Sequence, residues 1–320
     1  MRLVCLIAAS AIALAACSGP GDPTATASTE AVALQPAAAV SPESKPQDLA
    51  SRLDCLRESG GVLLIGHRGG PTRDYPENAI ETFQRTYDAG THAMEIDISE
   101  TKDGQLILMH DDDLDRTTTG EGPVSAHTLA EIETLKLETY QKTTNFAPPT
   151  LQATLEWAVK NGAVLELDKK KSATWQPIID AVRDTHAENN VFLVTYTDDQ
   201  AAEVHSLAPD LIVTATIESA AQLDGLIAKG VNPDHLVAWT GTTQPDPDLW
   251  QALRARGVEP AFGTLGPRAS SLDTRYWEDN DGSEFNQLVQ DGLAILVTDI
   301  TDKAARQLAP LRQKSAPCGL

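Results

Sequence analysis

From residue 49 onward the chain alternates short apolar runs with longer amphipathic ones. Eight runs have the length and β-branched content of buried strands: VLLIGH (62–67), AMEIDIS (93–99), AVLELD (163–168), VFLVTYT (191–197), LIVTAT (211–216), HLVAWT (235–240), EPAFGTL (259–265) and LAILVTD (293–299). Between them lie stretches with helical spacing, such as NAIETFQRTYDAG, TLQATLEWAVKNG, QPIIDAVRDTHAE and DLWQALRARG. Several of these close on glycine, which readily takes the left-handed conformation just past a helix C-terminus. The alternation predicts an α/β protein, a (β/α)₈ TIM barrel over residues 49–320. An open doubly wound sheet is the alternative. No G-x-G-x-x-G follows the first strand, which weakens its nucleotide-binding form.

One interval breaks the rhythm. Residues 100–162 separate the second and third strands and carry GQLILMHDDDLDRTTTGEG. They predict an insertion on a strand-to-helix loop, which in a barrel belongs to the catalytic face. Before the barrel, residues 1–17 read as a signal segment ending in LAAC, which resembles the lipobox of bacterial lipoproteins, with Cys17 the lipidated residue. Residues 18–48 are rich in Ala, Pro, Ser and Thr and read as a tether. Together they predict a lipid-anchored protein of the bacterial envelope, on the periplasmic side and at the outer membrane rather than the inner. Of four cysteines, Cys5 would leave with the signal and Cys17 would take lipid. Cys55 and Cys318 remain, and an oxidising compartment favours pairing them. Cys55 precedes the first strand and Cys318 follows the last helix, so a closed barrel would bring them together at its N-terminal face.

The chain of 320 residues carries 25 Lys and Arg against 46 Asp and Glu, a formal charge of -21. Such a surface repels phosphate backbones and argues against a nucleic-acid partner. An acidic chain that handles an anion needs local cations or a metal. AMEIDIS puts Glu95 and Asp97 on one strand face, and AVLELD does the same with Glu166 and Asp168. Inward carboxylates on adjacent barrel strands are costly unless neutralised. Hard oxygen donors in that number suit Mg²⁺ or Ca²⁺. His67 and Arg68 end the first strand, and His110 ends LILMH. Two histidines at such a mouth could serve as general base and general acid, with the Arg68 fork on a phosphate.

The blocks GHRGGPTRDYPENAIETF, EIDISETKDGQLILMHDDDLDRTTTGEG and LELD resemble the glycerophosphodiester phosphodiesterase family in order and spacing. The resemblance implies a TIM barrel, a divalent cation (Ca²⁺ or Mg²⁺), and hydrolysis of a small glycerophosphodiester to glycerol 3-phosphate and an alcohol. By position, it implies His67 and His110 as the acid–base pair, Glu95, Asp97 and Glu166 as metal ligands, and Arg68 on phosphate. It also puts Glu77 in the substrate pocket, and Asn78 is expected to cap the following helix. Three positions depart from the family pattern. Ala79 replaces a threonine. Asp168 stands where a lysine is expected, so that either Lys170 reaches the mouth instead or Asp168 joins the metal shell. AFGTLG replaces a Trp-containing run, leaving Phe262 to supply an apolar wall. Alternative readings are a lysophospholipase D-like enzyme on the same site and a non-catalytic phosphodiester-binding lipoprotein. Head group and oligomeric state are not legible.

Overall fold

The computed structural model describes residues 48–140 and 142–320. The signal segment, Cys17 and all of the tether before Asp48 lie outside the described residues. The strands are β1 (Leu63–Gly66), β2 (Ala93–Glu100), β3 (Leu106–Leu108), β4 (Glu138–Thr139), β5 (Lys142–Thr143), β6 (Val164–Lys169), β7 (Val191–Val194), β8 (Ile212–Thr216), β9 (Leu236–Trp239), β10 (Glu259–Gly263) and β11 (Ile295–Thr298). The helices used below are α1 (Leu49–Ser59), α2 (Ile80–Asp88), α3 (Leu129–Ile132) and α4 (Leu151–Asn161).

Eight parallel strands run β1-β2-β6-β7-β8-β9-β10-β11, and β11 pairs back onto β1. Closure leaves no free edge in the ring. Each barrel strand is apolar on both faces because each face meets a different layer. Leu63, Ile65, Ala93, Val164, Phe192, Ile212, Val237, Ala261 and Ile295 fill the interior. The alternate residues, such as Met94, Ile96, Leu165, Leu167, Leu193 and Val213, pack outward on the helices. Glu95, Asp97, Glu166 and Asp168 share the interior parity, one layer after another toward the strand C-termini.

The base of the barrel is sealed by α1. Leu49, Leu53 and Leu56 fall on one face at helical spacing and join the interior core. Asp48 caps the helix by accepting from Ser51 N at 2.7 Å. Arg57 reaches the buried Glu259 at the start of β10. Cys55 of α1 is disulfide-bonded to Cys318, with Cα atoms 5.5 Å apart and 263 positions between them in sequence.

The interval after β2 resolves into two parts. α4 is the ordinary barrel helix that leads into β6, so the additional material is 101–150 rather than 100–162. It starts with β3, which pairs antiparallel with the outer end of β2 (Ile98↔Leu108, Glu100↔Leu106). It continues through α3, whose Thr128 and Glu131 form a capping box, and the β4–β5 hairpin. Ile107, Met109, Leu114, Val124 and Ile132 give this lobe a small core of its own. Among the described residues, no helix is long and apolar enough to cross a membrane.

Removing the bridge with Cys55→Ser and Cys318→Ser frees a very long loop in the unfolded chain. Denaturant unfolding should show a loss of stability of up to about 5 kcal/mol with the barrel still formed.

Candidate active site

The C-terminal ends of the barrel strands gather four carboxylates. Glu95 lies opposite Glu166 in register, and Asp97 opposite Asp168. All four are buried. One oxygen each from Glu95, Asp97 and Asp168 lies within 4.8 Å of the others. Like charges this close and this dry cannot all ionise freely. Burial, and then the charges of Asp97 and Asp168, push the Glu95 carboxyl well above the usual carboxylate range. Burial and the neighbouring Asp168 raise Glu166 to about 8. Asp97 behaves oppositely. Burial would raise it, but Lys170 and the amide of Asn78 more than offset that and hold it low. Lys170 Nζ stands 2.5 Å from Asp97 Oδ1 and 2.6 Å from Asp168 Oδ2. Asp168 Oδ1 is buried with no hydrogen-bond partner.

Backbone turns hold this cluster in place. β1 ends at Gly66, one residue earlier than the apolar run implies, and His67–Gly69 form a 3₁₀ turn. Arg68 takes a left-handed conformation there, with φ at 50°. That conformation aims its N–H at Glu95 Oε2, 2.8 Å away. Gly69 is required by close approach, since an added Cβ would meet Phe83 of α2 at 2.3 Å. Asn78 is also left-handed, with φ at 56°. Its Oδ1 accepts from Asp97 N at 3.0 Å, and its Nδ2 donates to Asp97 Oδ2 at 2.7 Å. Asn78 therefore pins Asp97 and does not cap α2, whose N-cap is Ala79 with no side-chain bond.

Each histidine is backed by a carboxylate. His67 Nδ1 lies 2.7 Å from Asp299 Oδ1, and its Nε2 lies 3.8 Å from Glu95 Oε2. Asp299 is itself steadied by Gly266 N and by Asp273, which accepts from Asp299 N at 2.7 Å. His110 follows β3 rather than ending it, and its Nδ1 lies 2.6 Å from Asp111 Oδ1. Arg116 forks onto Asp111 (Nε to Oδ2, 2.6 Å) and onto both oxygens of Glu77 (2.9 and 2.8 Å). Arg68 Nη1 adds a third bond to Glu77, at 3.0 Å. Burial raises Glu77, but the two arginines win and keep it ionised. Arg68 Nε is buried with no hydrogen-bond partner and lies 3.8 Å from Asp97 Oδ2.

Two chambers meet at Asp168 and Tyr196. The inner one, about 200 Å³, is lined by His67, Glu95, Glu166, Trp239 and Leu265 among others. The outer one, about 930 Å³, is lined by His110, the aspartates after it and Lys169–Lys171. Paired histidines each fixed through Nδ1, flanking a buried carboxylate cluster with nearby arginines, can move protons on both sides of an anionic centre.

Residues 67–259 match the glycerophosphoryl diester phosphodiesterase family. The chain belongs to that family. It is by that membership a phosphodiesterase. It is 31% identical over 157 residues to a glycerophosphodiester phosphodiesterase of Caldanaerobacter subterraneus subsp. tengcongensis, covering 47% of this chain and 64% of that one. It is 30% identical over 260 residues to the uncharacterized protein YqiK of Bacillus subtilis, covering 77% of this chain and 98% of that one. A glycerophosphoryl diester phosphodiesterase structure from Parabacteroides distasonis superposes with a TM-score of 0.71 at 26% identity, over 83% of this chain and 93% of that one.

Against the residues expected of a family phosphodiesterase, the structure brings together His67, His110, Arg68, Glu77, Glu95, Asp97, Asp168 and Lys170. The tight carboxylate group contains Glu95, Asp97 and Asp168, the last being the added ligand the sequence had offered as an alternative; Glu166 lies beside it, lining the inner chamber. Phe262 lies elsewhere. Its position has the outward parity of β10, and it packs fully buried against Trp250. The apolar wall is made by Trp239 and Leu265. Gly263 leaves room for the indole, since a Cβ there would lie 2.8 Å from Trp239. Sequence reasoning missed Asp299, Asp111, Arg116, Trp239 and Tyr196. Asp299 carried a signal, a lone carboxylate at the end of the last strand, and Asp111 and Arg116 sat inside the His110 block. The residues present fit a divalent cation: hard oxygens, one of them orphaned and buried, with Lys170 supplying a single positive charge against several carboxyls.

The raised carboxyls set a direction for stability. Glu166 binds its proton more tightly folded than unfolded, so folding loses stability as pH rises from about 4.5 toward about 8. Thermal unfolding in EDTA should show this decline, bounded at about 5 kcal/mol for a shift of that size. Glu166→Gln should make the decline shallower, leaving the part that Glu95 contributes.

Proposed function

We propose that this chain hydrolyses small glycerophosphodiesters to glycerol 3-phosphate and an alcohol, using His67 and His110 as the acid–base pair. One observation carries the reading: the two histidines flank the carboxylate cluster, each with Nδ1 on an aspartate and Nε2 left for substrate. A divalent cation, Ca²⁺ or Mg²⁺, would be held by Glu95 and Asp97 with Asp168 or Glu166, where it would neutralise phosphate charge and act as a Lewis acid.

The chain's own residues do the rest. Asp299 and Asp111 hold the imidazoles in one tautomer and stabilise the charged form when a proton arrives. One Nε2 takes the proton of the glycerol hydroxyl next to phosphorus, and the oxygen attacks. The other Nε2 gives a proton to the departing alcohol oxygen. The P–O bond to the alcohol breaks and a cyclic phosphate forms. Water then opens the ring with the two histidines in exchanged roles. A neighbouring hydroxyl is better placed than free water, which is the physical appeal of two steps. Arg68, its backbone locked in the turn after β1, is the cation assigned to the phosphoryl oxygens. Glu77 and Arg116 keep that guanidinium and the Asp111–His110 pair in register. The inner chamber, about 200 Å³, is of a size for a three-carbon glycerol, which supports a small diester as substrate. A protein that only bound the diester would gain nothing from two aspartate-backed histidines.

Release of glycerol 3-phosphate from glycerophosphocholine and glycerophosphoglycerol should depend on added Ca²⁺ or Mg²⁺ and vanish in EDTA. His67→Ala and His110→Ala should each lower kcat by about 10²–10⁴. Retained turnover in either variant would remove that histidine from the mechanism.

The lipid anchor at Cys17, on the periplasmic side of a bacterial envelope, is part of the same proposal. The full chain made in a lipoprotein-processing bacterium should gain the mass of a diacylglyceryl group and partition with membranes. Cys17→Ser should abolish both.

A further inference from the structure

One buried carboxylate near the barrel mouth has no part in the chemistry above. Asp273 sits on the short helix Leu272–Tyr276, in the connection from β10 to β11, and is 2% exposed. Among the described residues, no cation pairs with it. A buried carboxylate without a cation is costly unless donors converge on it.

Here they do. Thr298 Oγ1 donates to Asp273 Oδ1 and Asp299 N donates to Asp273 Oδ2, each at 2.7 Å. Both bonds land on consecutive residues at the point where β11 ends. Asp273 N donates in turn to Thr264 O, just past the end of β10, at 2.8 Å. Leu272 beside it is buried in the core outside the ring. Asp273 is therefore a rigid strut between the ends of two barrel strands.

The strut matters because of Asp299. That side chain is 38% exposed and lies one residue past β11, yet its Oδ1 stands 2.7 Å from His67 Nδ1. An exposed carboxylate on a strand end can swing away from an imidazole. One whose own N–H is gripped from inside the protein starts from a fixed backbone. Resting on the phosphodiesterase reading above, we propose that Asp273 is a positioning residue of the reaction: it fixes the backbone at Thr298 and Asp299, and through Asp299 sets the orientation of His67. Only a carboxylate accepts from both donors. An amide there would accept from one and turn its own NH₂ on the other. His110 is supported differently, since its partner Asp111 is held by Arg116. Loss of Asp273 should therefore act on one histidine alone.

The test uses the full chain and the variants Asp273→Asn, Asp299→Asn, their combination, Thr298→Val and Thr298→Ser. Turnover of glycerophosphocholine is measured with Ca²⁺ or Mg²⁺. Proton NMR follows the downfield Nδ1–H resonances of the two aspartate-bound histidines, assigned by their loss in His67→Ala and His110→Ala. Asp273→Asn should lower kcat by about ten- to a hundredfold with KM within about twofold. It should displace or broaden the His67 resonance and leave that of His110 in place. Added to Asp299→Asn it should cost nothing more, because both act along one path. Thr298→Val, close in shape, should repeat the effect more weakly, which covers an Asp273→Asn chain that fails to fold. Thr298→Ser, which restores the hydroxyl, should recover most of the loss. An unmoved His67 resonance, an unchanged kcat or additive losses in the double variant would overturn the proposal. So would disturbance of both resonances together, which marks a general structural role. No turnover in the unaltered chain, with the His67 resonance still displaced by Asp273→Asn, sinks the phosphodiesterase reading and keeps the hold on His67.

Discussion

Four carboxyl groups buried side by side at the mouth of a barrel are the constraint around which the rest is arranged. Water cannot solvate them there, and they repel one another. Every nearby element supplies something against that repulsion. The strained turn after β1 donates the Arg68 N–H to Glu95, Asn78 gives Asp97 its amide, and Lys170 brings its ammonium between Asp97 and Asp168. What is left over is taken up as bound protons on Glu95 and Glu166. Glu95, Asp97 and Asp168 in that cluster form a group that could hold a metal ion.

The histidines show how position converts an ordinary side chain into a tool. Neither lies on a strand. His67 sits on the turn where β1 stops, and His110 on the chain just past β3. A turn offers directions that a strand's alternation does not, so both rings can face the same anionic centre from different sides. Each is then fixed by an aspartate from a different source: Asp299 from the end of the barrel, Asp111 from the adjacent position.

Much of this was legible in the chain. The period-two placement of Glu95, Asp97, Glu166 and Asp168 reads directly as inward carboxylates, because strand geometry leaves no other choice. The closed barrel followed from eight alternating units. What failed did so for physical reasons. Phe262 looked like a mouth residue by its strand, but parity sends it outward onto Trp250. Asn78 looked like a cap by its place before a helix, yet a left-handed backbone turned its amide toward Asp97. Asp299 could not be paired with His67 from sequence, since only closure of the ring brings β11 back to β1. Asp168 and Lys170 were left as alternatives, and the structure brings both to the mouth, where Lys170, just past the end of β6, pairs with Asp168.

The lobe at residues 101–150 has its own small core, and it carries His110, Asp111 and Arg116, while the barrel carries His67, Asp299 and the carboxylates. The histidines and their aspartates are thus supplied by two parts of one sheet-linked body, joined again through Arg116, Glu77 and Arg68. A change at Arg116 in the lobe is therefore carried through Glu77 to Arg68, on the turn that follows β1.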